Sequence, residues 1–377
     1  MTPKERMIAT LQHREPDRVP IMEFAIDYSL IEDILGHPTF WRAKFKEIQA
    51  YWDGRRDEVV ESQKRDIVAL VRELGMDGVA VNLVPPKGFQ PERLQPVDHE
   101  TWRDWRGNLY RYSARTQDLM LFARNALDPQ PAPDLWEPPA EVDESEWELV
   151  DYVLQELGET HYVVARPGRR LACAYPSALD WEPMMLRMAD DPDGERERRL
   201  RNARIQAASF GMFFARGCDN IAIGEDFGHN HGPFVSPRMF GHIYGPSVKL
   251  ICEEIHRYGV PVLWHACGDN RQIIDQMIEA GIDCYQAIQP EEDIVGLRTQ
   301  WGHRLALWGG VSTHTLVMGT PQEIRQQVRE AIFGCAPGGG FILGASHSVC
   351  VNTRPENYLA ALDELRKVGV YPIGPVA

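Results

Sequence analysis

The feature that most limits the fold of this chain is a rhythm of about eight short apolar runs, most of them followed by a helical stretch. The runs occupy residues 19–24, 76–84, 161–166, 220–227, 260–265, 284–289, 305–311 and 341–348. Strands alternating with helical segments argue for a parallel sheet with crossover helices. Eight such units in 377 residues suit an α/β fold of the (β/α)8 TIM-barrel type, taken as one domain over residues 1–377. The alternative is a doubly wound open sheet. No G-x-G-x-x-G opens a first helix, which counts against a dinucleotide-binding version of it.

Local signals fill in the rest. Thr2 and Pro3 read as the N-cap and first residue of a helix that presents Met7, Ile8 and Leu11 on one face. Residues 27–74 are helical in pattern, with a break near Gly36 to Thr39. Residues 99–113 alternate around Arg106, Gly107 and Asn108, which predicts an inserted β-hairpin that either covers a site or makes a homodimer contact. Five Pro in residues 127–140 forbid helix and favour an extended connector. Asp190 and Asp191 read as a helix cap, and Ser236 with Pro237 as the start of another helix.

Bulk charge narrows the partners. A formal net charge of -15 argues against a nucleic-acid or anionic-membrane ligand. Seven Cys, odd in number and without framework spacing, point to reduced thiols in a cytoplasmic protein. No apolar run approaches the roughly 20 residues that a membrane span needs.

The chemistry is concentrated where strands end. In V-P-V-L-W-H-A-C-G-D, residues 260–269, a strand runs into His265 and Cys267, which lie two apart and so on the same side. Imidazole and thiolate together favour zinc over magnesium or calcium, although a merely packed His and Cys is the plain alternative. Glu225 and Asp226 close another strand, where two carboxylates are costly unless salt-bridged or functional. In a barrel, all strand C-termini share one face. Glu23, Arg166, Glu225, Asp226, His265, Cys267, Gln289 and His347 would then converge there, on the face where such barrels do chemistry.

With those residues in view, the chain resembles the uroporphyrinogen decarboxylase superfamily and, within it, the zinc-dependent corrinoid-linked methyltransferases. The likeness rests on the opening M-T-P-K-E-R-M-I-A-T-L-Q-H-R-E-P-D-R-V-P, on G-E-D-F-G followed by V-S-P-R-M-F, on H-A-C-G-D, on W-G-G-V, and on F-I-L-G-A-S-H-S with P-E-N-Y-L after it. The decarboxylases carry an Arg-rich M-R-Q-A-G-R after the first strand; here the position reads M-E-F-A-I-D. A polyanionic substrate is expected to meet Glu23 and Asp27 there, with no cation to offset them. The methyltransferase branch implies zinc on H-x-C plus a distant Cys. That distant position is taken by His347, the first choice for third ligand, with Cys350 the alternative. Glu225 and Asp226 are then the catalytic candidates, and Glu23, Arg166 and Gln289 the candidates for binding a small-molecule substrate. No D-x-H-x-x-G cobalamin segment is present, so the resemblance implies a corrinoid carried on a separate protein.

Overall fold

The computed structural model describes residues 1–127, 142–167 and 179–374. Most of the proline-rich connector lies outside these residues. Seven parallel strands form one sheet in sequential order: β1 Gly78–Val81, β2 Tyr162–Ala165, β3 Asn220–Gly224, β4 Leu263–His265, β5 Cys284–Ile288, β6 Ala306–Val311 and β7 Phe341–Ala345. The sheet curls. Period-2 alternation divides its side chains between two cores. Ala80, Tyr162, Val164, Ala222, Leu263, Cys284, Ala306, Trp308 and Ile342 pack together on the concave side, with Met7 and Leu11 of helix Pro3–Leu11 joining the same cluster. Their neighbours, such as Val79, Val163, Ile223, Trp264, Leu307 and Leu343, belong to the core shared with the helix layer.

The first expected strand, residues 19–24, is not a regular strand. It lies between β7 and β1 all the same: Leu343 N donates to Pro20 O (2.9 Å), Met22 N to Leu343 O (3.2 Å) and Asp77 N to Ile21 O (2.8 Å). Two residues explain the broken ladder. Pro20 has no N–H to give, and the Ile21 amide bonds the Asp77 carboxylate (2.8 Å) instead of a backbone carbonyl. Asp77 is fully buried and also holds the guanidiniums of Arg6 and Arg18, so a charge-assisted knot replaces part of the strand pairing.

The insertion is larger than a hairpin. Gln95–Pro96, Thr101–Arg103, Leu109–Tyr112 and Leu119–Ala123 form a four-stranded antiparallel sheet, with the turn through Gly107 joining its two middle strands. Phe45, at the start of helix Phe45–Trp52, packs edge-on against Trp102 of this sheet (5.0 Å), and Lys44 bonds Asp118 at its margin (3.0 Å). The insertion therefore braces the loop 36–44. That loop is longer than the expected break and holds two cationic residues, Arg42 and Lys44, at positive φ (52° and 54°). No described helix is long and apolar enough to cross a membrane.

Candidate metal centre

Parity along the strands decides which side chains enter the mouth of the curled sheet. His265 shares the inward parity of Leu263, and Arg166 that of Val164. Gln286, on the parity of Cys284, is the register partner of His265 across the β4–β5 ladder. Their side chains meet. His265 Nδ1 donates to Gln286 Oε1, which fixes the tautomer and leaves Nε2 free to act as a ligand.

Nε2 lies 3.5 Å from Cys267 Sγ, and the His347 ring stands edge-on to His265 at 5.3 Å. Ligand atoms of His265, Cys267 and His347 all fall within 4.8 Å of one another; among the described residues they are the one such group of three that could hold a metal. Cys350, half-buried, is not part of it.

The electrostatics suit a metal that displaces protons. Burial, then His347, push His265 down to about 4, and burial lowers His347 as well, so both imidazoles are neutral at pH 7. Burial pushes the Cys267 thiol up, and Asp226 adds to that. A metal would have to displace that proton to gain a thiolate ligand. Two neutral imidazoles and a thiol, with one ring nitrogen already held from behind, fit zinc in donor type and number, with a fourth position left for substrate.

The ligand loop is held from behind. Asn270 Nδ2 reaches the carbonyls of Cys267 and Gly268 (both 3.1 Å) and the Tyr285 hydroxyl (2.9 Å). Glu292 accepts from Tyr285 Oη (2.9 Å), Asn270 N (3.1 Å) and Gln289 N (3.2 Å). Gly268, at φ +100°, packs its backbone on Gly228, where a Cβ would lie 2.2 Å from a carbonyl carbon. Only glycine allows that approach.

The structure separates the predicted site residues. Asp226 is at the centre: its Oδ1 accepts from the Cys267 amide (2.8 Å) and lies 3.9 Å from His265 Nε2. Glu225, one residue earlier, pairs with Arg199 of helix Pro192–Ala208 (2.5 Å), on the opposite strand face from Asp226. Glu23 is likewise on the far side. Its carboxyl accepts from Ala345 N (3.0 Å) and Tyr358 Oη (3.1 Å) and lines a small cavity with Leu316, Leu343 and Ala361, so it cannot touch substrate at the mouth. Gln289 is spent on a capping box with Glu292. Arg166 does face the mouth, 4.5 Å over the Phe24 ring.

The expected lack of cations near Asp27 is also corrected. Arg42 (2.9 Å) and Lys44 (3.1 Å) both pair with it. Three residues of the site escaped the sequence reading: Gln286, Phe24, whose ring stacks on His265 at 4.5 Å, and Arg42. Gln286 was findable only with the strand register, and Phe24 only by applying to residues 19–24 the parity that sends Glu23 outward.

Residues 192–368 match the profile of the family described as uroporphyrinogen decarboxylase (URO-D). The matched stretch contains His265, Cys267, His347 and the motifs around them, while the opening segment through Pro20 lies outside it. A methyltransferase from Methanosarcina mazei superposes with a TM-score of 0.68 at 16% identity, covering 97% of this chain and 99% of that one. A B12-independent methionine synthase from Shewanella sp. W3-18-1 gives a TM-score of 0.47 at 11% identity, covering 94% of this chain and 97% of that one. At 16% identity the likeness to the Methanosarcina mazei protein is one of fold. No curated protein sequence matches the chain.

Proposed function

We propose that this URO-D-domain protein is a zinc-dependent methyltransferase that moves a methyl group between a small substrate and a corrinoid carried on a separate protein. The substrate would be a methoxylated compound, a methylamine or a thiol. One observation carries most of the weight: two imidazoles and one thiol, His265, His347 and Cys267, gather within 4.8 Å at the mouth of the sheet. A decarboxylase has no evident need of that ligand set. Bound there, zinc would hold a thiol as its thiolate at neutral pH, or polarise the leaving oxygen or nitrogen of a methyl donor.

The chain's own residues have separable tasks. Gln286 orients His265 through Nδ1, and Asn270 fixes the loop of Cys267 through its carbonyl. Asp226, beside His265 Nε2, is the carboxylate positioned to hold the proton that a thiol acceptor releases or that a demethylated oxygen or nitrogen takes up. Phe24 forms an apolar wall against the His265 ring.

A carboxy-lyase acting on an anionic substrate is the second reading. The family description and the cations Arg42 and Arg166 at the mouth favour it. The deciding experiment incubates zinc-loaded protein with methylcobalamin and a panel of thiols, and separately with reduced cobalamin and methoxyarenes or methylamines, following the corrinoid spectrum. Methyl transfer in one arm, lost in Cys267→Ala, is expected. Transfer in no arm, with carbon dioxide released from a carboxylated substrate such as uroporphyrinogen, would reverse the choice.

A further inference from the structure

Arg166 stands at the end of β2, on the inward parity of Tyr162 and Val164. Its guanidinium lies 4.5 Å over the Phe24 ring, and that same ring stacks on His265 at 4.5 Å. Among the described residues its hydrogen bond is to the Phe24 carbonyl, at 3.3 Å. Among the described residues no carboxylate pairs with it, and the charge that acts on it is the like charge of Arg42. Burial first, and Arg42 second, push its pKa down to about 10, which still leaves it a cation at neutral pH.

The cations around it are treated differently. Arg42 is paired with Asp27, Lys44 with Asp27 and Asp118, and Arg199 with Glu225. In a chain with 55 acidic residues against 40 basic ones, a half-buried guanidinium without a counter-ion among the described residues is a cost that the fold does not require. On the same inward face, against His265, the Gln286 side-chain nitrogen is buried with no acceptor among the described residues. Two donors wait for acceptor atoms, and one of them is charged.

We propose that Arg166 is an anion-docking residue: the small substrate of this site carries a carboxylate, sulfonate or phosphate group that pairs with the Arg166 guanidinium, with Arg42 adding to the field. This rests on the methyl-transfer reading for the other end of the molecule. Two 4.5 Å contacts in series, from Arg166 to Phe24 to His265, limit the link between anion and reactive heteroatom to a few atoms, with Phe24 packed alongside. Planar, bidentate guanidinium pairing favours such oxyanions over halide or hydroxyl groups.

The test uses ligands matched in length: 3-mercaptopropionate and 3-mercaptopropanesulfonate against neutral 3-mercaptopropionamide, titrated calorimetrically into the zinc-loaded full chain. Wild type should bind the anionic thiols roughly ten-fold to a hundred-fold more tightly than the amide, as expected for a hydrogen bond to a charged group. Arg166→Gln should bring the three together without weakening the amide, and Arg166→Lys should keep part of the preference. Thermal unfolding checks that both variants are folded. Equal affinities in wild type, or a preference that survives in Arg166→Gln, overturn the proposal.

A second arm titrates propionate and propionamide into metal-free protein, where the preference for the anion should persist. Anion preference there with no thiol binding to the zinc-loaded chain would remove the metal reading and leave the docking residue. Thiol binding without anion preference would do the reverse, and binding of no probe to either form overturns the proposal.

Discussion

The seat behind the ligand loop and the mouth in front of it are both rich in polar groups, yet they complete their bonding in opposite ways. Behind, Glu292 accepts from a hydroxyl and two amides, while Asn270 Nδ2 spans two carbonyls and a phenol oxygen, which leaves Asn270 Oδ1 as the seat's one atom without a partner among the described residues. In front, His265 Nε2, Cys267 Sγ and His347 face one another, Arg166 has no carboxylate among the described residues, and the Gln286 amide nitrogen has no acceptor. Burying a polar group is costly unless a partner offsets it. Polar groups that satisfy one another within the chain are therefore explained by folding alone; those left with capacity toward a shared space call for a ligand.

The comparison is broken most sharply at the mouth. Cys267→Ala should weaken zinc binding by more than about a hundred-fold, beyond the loss expected for an outer-shell partner, while leaving the circular dichroism spectrum unchanged. Equilibrium dialysis against a zinc chelator measures this. Gln286→Leu keeps the ligands and removes their support, so it should cost roughly ten-fold to a hundred-fold in zinc affinity with little loss of fold. If Gln286→Leu binds zinc as wild type does, the His265 tautomer is set by something else.

The seat should respond in stability. Asn270→Ala removes the donor shared by the carbonyls of Cys267 and Gly268. A loss of about 2 kcal/mol in urea unfolding of the metal-free chain is expected. The other stability test, read as a dependence on pH, is at Glu23. Burial raises its carboxyl from 4.5 to about 8, so the native state holds a proton that the unfolded chain releases. Its contribution is fully present below pH 4.5 and is lost as pH rises toward 8. Glu23→Gln, which cannot ionise, should therefore gain on wild type across that window, increasingly as pH rises from 4.5 toward 8. Parallel stability curves for the two proteins would show that Glu23 does not hold that proton.

How far the sequence could be read follows the same division. The strand and helix rhythm was legible because buried parallel strands need apolar runs and the helices that cover them need a 3.6-residue stripe. His265, Cys267 and His347 were legible because their chemistry is unusual at strand ends. Glu225 and Glu23 lie away from the mouth for a local reason: one step along a strand reverses the face, and a sequence without register cannot say which of Glu225 and Asp226 turns inward. Residues 19–24 read as a strand because they are apolar; only the Asp77 carboxylate, far along the chain, shows why the ladder there is incomplete. Arg42 was hidden inside a helical pattern, since its role depends on a loop braced by the inserted sheet.

The central claim is that His265, Cys267 and His347 form a metal centre, and its most direct test is elemental analysis of the chain purified without chelator, alongside His347→Ala and Cys350→Ala. About one zinc per chain is expected in wild type and in Cys350→Ala, with most of it lost in His347→Ala. Wild-type protein free of zinc and every other transition metal, or a site emptied by Cys350→Ala and kept by His347→Ala, would contradict it.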